Sequence, residues 1–122
     1  MNKSMGGCHC GQVRFEVSYS EMKLLECNCT VCSKKGYLHL IVEKDDFKLL
    51  SGDGVLTDYR FGTKQAKHLF CKICGVQSFY IPRSHPDGVS VNARCLEGIS
   101  LQKFDVVPFD GSRWEQNVDS IR

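Results

Sequence analysis

The chain has 122 residues, a formal charge of +2 and an ordinary hydrophobic content of 42%. That length suits one domain spanning residues 1–122 around a modest core. It excludes a membrane-spanning helix, because the longest apolar run, 38–42, is interrupted by His39 and falls far short of roughly 18 residues. Eight cysteines make up the unusual part of the composition. The residues after Met1 lack the apolar stretch of a secretory leader, so an intracellular, cytoplasmic location is expected, and thiols there are better suited to metal than to disulfides. Seven thiolates around two Zn²⁺ add three negative charges and bring the formal +2 to −1. No nucleic-acid footprint is then expected.

In chain order, Gly6-Gly7-Cys8-His9-Cys10-Gly11 reads as a sharp turn that faces two thiols to one point, with His9 a bystander between them. Gln12 to Ser18 alternates apolar Val13, Phe15 and Val17 with polar residues, the pattern of a half-buried strand. Glu21 to Glu26 is ambiguous and leads into Cys27-Asn28-Cys29-Thr30-Val31-Cys32. Three thiols within six residues converge for a chemical reason: a borderline metal wants sulfur donors around one point. A closed structural zinc site takes four protein ligands, while a catalytic one keeps three and leaves a position open. Spacing leaves open whether Cys95 or a histidine supplies a fourth.

Ser33 to Gly36 reads as a turn. Tyr37–Val42, Phe47–Leu50 and Val55–Phe61 read as strands, the second ending at the turn Ser51-Gly52-Asp53-Gly54 and the third broken by Gly62-Thr63. Cys71-Lys72-Ile73-Cys74-Gly75 has the form of a zinc knuckle. A strand is expected after it at Val76–Ile81, rather than the helix of a redox C-x-x-C motif. Val89 to Arg94 is a further strand, Leu101–Phe109 holds one more, and a short terminal helix carries Trp114 and Val118. The whole reads as mainly β.

Two pairs from two turns, Cys8 with Cys10 and Cys71 with Cys74, are the usual way to build a closed four-sulfur site. Cys27, Cys29 and Cys32 remain as a second set, with Cys95 left over. Spacing also permits Cys27 and Cys29 to pair with Cys71 and Cys74 instead.

These motifs, in this order, carry a resemblance. Gly-Gly-Cys8-x-Cys10-Gly-x-Val-x-Phe, Cys27-x-Cys29-x-x-Cys32 and Phe-Cys71-x-x-Cys74-Gly resemble the glutathione-dependent formaldehyde-activating enzyme family, which includes the centromere protein V-like proteins, and the ending Phe109-Asp110-Gly111-x-x-Trp114-Glu115 is similar to members of that second branch. The resemblance implies a β-rich, Mss4-like zinc-binding fold with two Zn²⁺ per chain. It implies a structural zinc on Cys8, Cys10, Cys71 and Cys74, and an active-site zinc on Cys27, Cys29 and Cys32. It implies a carbon–sulfur lyase that joins glutathione, or a similar small thiol, to formaldehyde as S-hydroxymethylglutathione. The centromere protein V branch implies the other reading, a non-catalytic zinc-stabilised binding or scaffold module. Lys34, Lys35, Asn92 and Arg94 are candidates to meet a glutathione carboxylate. His39, His68 and His85 are weaker candidates for function. A redox sensor that releases zinc on oxidation is a third possibility. The oligomeric state is not legible.

Overall fold

The structure, a computed structural model, describes residues 1–121. Eleven strands and two short helices follow one another as β1 (Asn2–Gly7), β2 (Arg14–Tyr19), β3 (Lys23–Cys27), α1 (Thr30–Lys35), β4 (Leu38–Glu43), β5 (Phe47–Ser51), β6 (Leu56–Tyr59), β7 (His68–Cys71), β8 (Phe79–Tyr80), β9 (Gly88–Asn92), β10 (Leu96–Glu97), β11 (Asp105–Phe109) and α2 (Trp114–Asn117). They form a four-stranded sheet in the order β10-β1-β2-β5, a five-stranded sheet in the order β11-β3-β4-β9-β8, and a β6-β7 ribbon. The mainly β reading of the sequence holds.

The alternation in β2 does what its period requires. Phe15, Val17 and Tyr19 are buried on one face, and the polar residues between them are only half-buried. Leu24, Leu40, Val89 and Val91 of the five-stranded sheet join the same core. A chain of rings ties the sheets together: Phe15 lies 5.5 Å from Phe47 of β5, and Phe47 lies 4.7 Å from Phe79 of β8. Full burial of side chains this large contributes about 1.5–3 kcal/mol each.

Of the elements that depart from the reading by period, four have a clear local reason. β1 was not anticipated, since its small and polar residues carry little strand signal. Tertiary pairing makes it a strand, between β2 and β10. Gly6 permits that approach, because a Cβ there would lie 2.5 Å from the Cys95 carbonyl oxygen and 2.6 Å from the Phe15 ring. The ambiguous 21–26 region is β3. The expected turn at 33–36 is the second half of α1, held by Ser33 N–H donating to the Cys29 carbonyl at 2.9 Å and Gly36 N–H to Cys32 at 3.0 Å. The strand expected at 76–81 shrinks to Phe79–Tyr80. The carbonyls of the preceding residues are used elsewhere: Val76 accepts from Cys71 N–H, Gln77 from the Asn92 side chain and Ser78 from Asn92 N–H.

β11 runs parallel to β3, with Phe109 beside Cys27. This pairing brings the tail of the chain to the end of the strand that carries the first triad cysteine. No helix among the described residues is long and apolar enough to cross a membrane.

Candidate functional site: two thiol clusters and a cavity

Cys8, Cys10, Cys71 and Cys74 place their sulfurs within 4.8 Å of one another. The pairing expected from two turns is thus the one the fold makes, rather than the exchange with Cys27 and Cys29. Cys8 follows β1 and Cys71 ends β7, so this cluster joins the four-stranded sheet to the ribbon. Cys8 Sγ accepts the Val13 backbone N–H at 3.3 Å, and Cys71 is fully buried. The Cys8–Cys10 and Cys10–Cys71 sulfur separations are 3.5 and 3.7 Å. A tetrahedron with Zn–S bonds of about 2.3 Å has edges of roughly 3.8 Å, so this donor set fits zinc without rearrangement.

Cys27, Cys29 and Cys32 form the second cluster, again within 4.8 Å, and among the described residues it has three members. Cys27 ends β3, Cys29 caps α1 and Cys32 lies within that helix. Hydrogen bonds from Cys27 and Cys32 pull the Cys29 thiol down to about 2, while the same bonds push Cys27 and Cys32 up. Deprotonation on binding metal would make the three sulfurs a thiolate donor set.

The tail residues clamp this cluster. Asn28 N–H donates to the Phe109 carbonyl at 3.2 Å, and the Asn28 side-chain amide donates to Asp110 Oδ1 at 3.1 Å. Ser112 N–H donates to Asn28 Oδ1 at 3.0 Å. Between them Gly111 lies against the thiols: a Cβ on it would sit 2.3 Å from Cys27 Sγ and 3.1 Å from Cys29 Cβ. Sequence reading quoted this segment as a motif but gave it no role.

His39 is the other residue that the sequence undervalued. Its Nε2 lies 3.3 Å from Cys32 Sγ and its Nδ1 lies 2.9 Å from Ser90 Oγ. Tyr80 OH is 3.3 Å from the same Nδ1, and Tyr37 packs on the ring at 4.5 Å. An Nε2–H tautomer donates to the sulfur and lets Nδ1 accept from Ser90 Oγ–H. Burial holds His39 down at about 4, so the ring is neutral at pH 7. A lone histidine at the start of a strand carries no signal of this in sequence; only β4–β9 pairing brings Ser90 within reach.

Lys35 ends the helix that carries Cys32 and is within electrostatic reach of Cys32 and Cys29, while the other candidates lie elsewhere. Cys95 Sγ is 3.8 Å from the Gln77 carbonyl, and Cys8 and Cys74 are the thiols close enough to influence it. Lys35 donates to Gln77 Oε1, Arg94 to the Gly36 carbonyl and Asn92 to the Gln77 carbonyl. His85 contacts Ser84, and His9 is exposed in its turn.

A cavity of about 230 Å³ opens on the triad. His39, His68 and Tyr80 form part of its wall, with Val31, Phe61 and Trp114. His68 is stacked between Tyr80 at 4.8 Å and Phe61 at 5.3 Å. Burial lowers it from 6.5 to about 4. Its folded value lies below its unfolded one, so the stability it contributes is complete above pH 6.5 and is lost as pH falls through 4. Urea unfolding from pH 7 to 4 should show a steeper loss of stability in wild type than in His68→Phe, which keeps the stack without the proton. Parallel curves would refute this.

A family profile described as glutathione-dependent formaldehyde-activating enzyme matches residues 3–107, which contain both thiol clusters. The fold is also similar to the crystal structure of a Rhodobacter sphaeroides protein, with a TM-score of 0.77 and 35% identity, covering 85% of this chain and 97% of that one. With the profile spanning most of the chain and both clusters within it, this protein belongs to the glutathione-dependent formaldehyde-activating enzyme family.

Proposed function

We propose that the chain is a zinc-dependent carbon–sulfur lyase that joins glutathione, or a similar thiol, to formaldehyde. In this reading Cys8, Cys10, Cys71 and Cys74 hold a structural Zn²⁺, and Cys27, Cys29 and Cys32 hold a second one. The observation that carries it is the three-membered cluster opening on a cavity, while the other cluster already has the four donors of a closed site. Zn²⁺ bound at the triad supplies a position at which a substrate thiol is kept as thiolate. The protein's residues do the rest. His39 orients Cys32 through its Nε2, and Ser90 fixes the tautomer. Gly111 keeps the tail close without filling the space beside Cys27 and Cys29. The cavity wall is mostly apolar around the position of the reacting thiol. Three protein thiolates favour release of a nucleophilic sulfur over activation of a water, since their charge offsets that of the metal.

The test is exchange NMR with ¹³C-formaldehyde and glutathione, with and without zinc-loaded protein. Faster exchange into S-hydroxymethylglutathione is expected, and exchange no faster than in buffer would sink the reading. The scaffold alternative requires the triad position to be filled permanently. Cys95→Ala should keep both zincs by native mass spectrometry, because its thiol lies nearer the other cluster; loss of one would favour the scaffold. His39→Phe should weaken zinc at the triad about 10–100-fold, as loss of an orienting hydrogen bond does. Chelator competition that matches wild type would deny His39 that role.

A further inference from the structure

The cavity is built for something other than formaldehyde alone. Its volume is about 230 Å³, whereas a water, close to formaldehyde in size, takes up about 30 Å³. An apolar cavity of about 150 Å³ holds a benzene ring. Leu25, Val31, Ile41, Phe61, Phe109 and Trp114 make its wall mostly apolar. Among the described residues it has no lysine and no carboxylate, and Arg83 is its one cation beyond the histidines. That guanidinium is already engaged: it stacks 3.6 Å over Trp114 and pairs with Glu115. A glutathione molecule carries two carboxylates and an ammonium, and burying these among such walls is costly without partners. On the lyase reading the charged arms of the peptide would then stay in solvent, with only the sulfur reaching the triad. The cavity is left for the other reactant.

Resting on the lyase reading above, we propose that this cavity takes the substituent of an aldehyde larger than formaldehyde, apolar and of the size of an aromatic ring. The reaction remains balanced without an added oxidant. The thiol sulfur forms the S–C bond, the C=O pair moves to oxygen, and the proton released by the thiol ends on that oxygen as a hemithioacetal hydroxyl. Phenylacetaldehyde is a suitable substrate of this class, and 2-phenylethanol is its unreactive counterpart.

The decisive experiment measures binding of 2-phenylethanol to the zinc-loaded chain by NMR, with intermolecular contacts sought at the Trp114 indole. Saturable binding with Kd near or below about 1 mM is expected, corresponding to −4.1 kcal/mol or better. Ala66→Phe fills the cavity from its wall and should weaken binding at least tenfold; Thr63→Phe, on the exposed rim, provides a second variant should the first fail to fold. Ala66→Phe should also lower kcat/KM for phenylacetaldehyde at least tenfold more than for formaldehyde. Absence of saturable binding overturns the proposal, as does binding that neither substitution weakens. Formaldehyde exchange without 2-phenylethanol binding would overturn this proposal and leave the lyase reading intact. Binding without any aldehyde turnover would support the apolar occupant and sink the lyase reading.

Discussion

Cys71→Ser should leave the chain unfolded at room temperature. Cys71 is fully buried at the end of β7, with its sulfur 3.7 Å from Cys10. A serine hydroxyl does not deprotonate to replace a thiolate, and the three remaining sulfurs would face one another without a fourth donor. Structural zinc in small domains contributes about 10–16 kcal/mol of apparent binding energy. Domains of this kind have a net stability of about 5–15 kcal/mol, so losing most of that contribution exceeds what the core can cover. The same cluster is also what joins the ribbon to the four-stranded sheet. Circular dichroism should show no cooperative thermal transition, and native mass spectrometry should show no folded two-zinc species. A variant that melts within a few degrees of wild type would mean that the cluster is not a structural metal site.

Gly111→Ala should give the opposite kind of failure, a folded protein with a damaged triad. The added Cβ would sit 2.3 Å from Cys27 Sγ, far inside van der Waals contact. Relief requires either the tail or the sulfur to move, and the tail is held by Asn28, Asp110 and Ser112. The four-cysteine cluster is not involved, so its zinc and the melting transition persist. Displacement of one ligand should reduce zinc affinity at the triad at least tenfold and lower thiol exchange in proportion, by analogy with the 10–100-fold losses seen when ligand orientation is disturbed. Chelator competition on the folded variant reads this directly. Two zincs with unchanged affinity would show that the tail does not fix the triad.

Both thiol clusters were legible in the sequence because cysteines two or three residues apart have few other uses. Of the strands, β2 was legible because Val13, Phe15 and Val17 keep a strict period. β1 was not, because its residues become a strand only by being sandwiched between β2 and β10. The region 76–81 misled in the other direction: it has strand composition, but Cys71 and Asn92 take its carbonyls. The parts of the site contributed from a distance were the least visible. His39 needs Ser90 from β9, and Gly111 needs the parallel pairing of β11 with β3. Neither relation leaves a local trace in composition or period.

The parallel β3–β11 pairing has a consequence for the order in which the protein is made. Synthesis passes the triad cysteines by residue 32, the last ligand of the other cluster at residue 74, and the clamp only at Gly111. At about 5–20 residues per second, the nascent triad spends several seconds bare of its cover. During synthesis these three thiols are therefore open to oxidants and competing metals until the segment around Gly111 has been made.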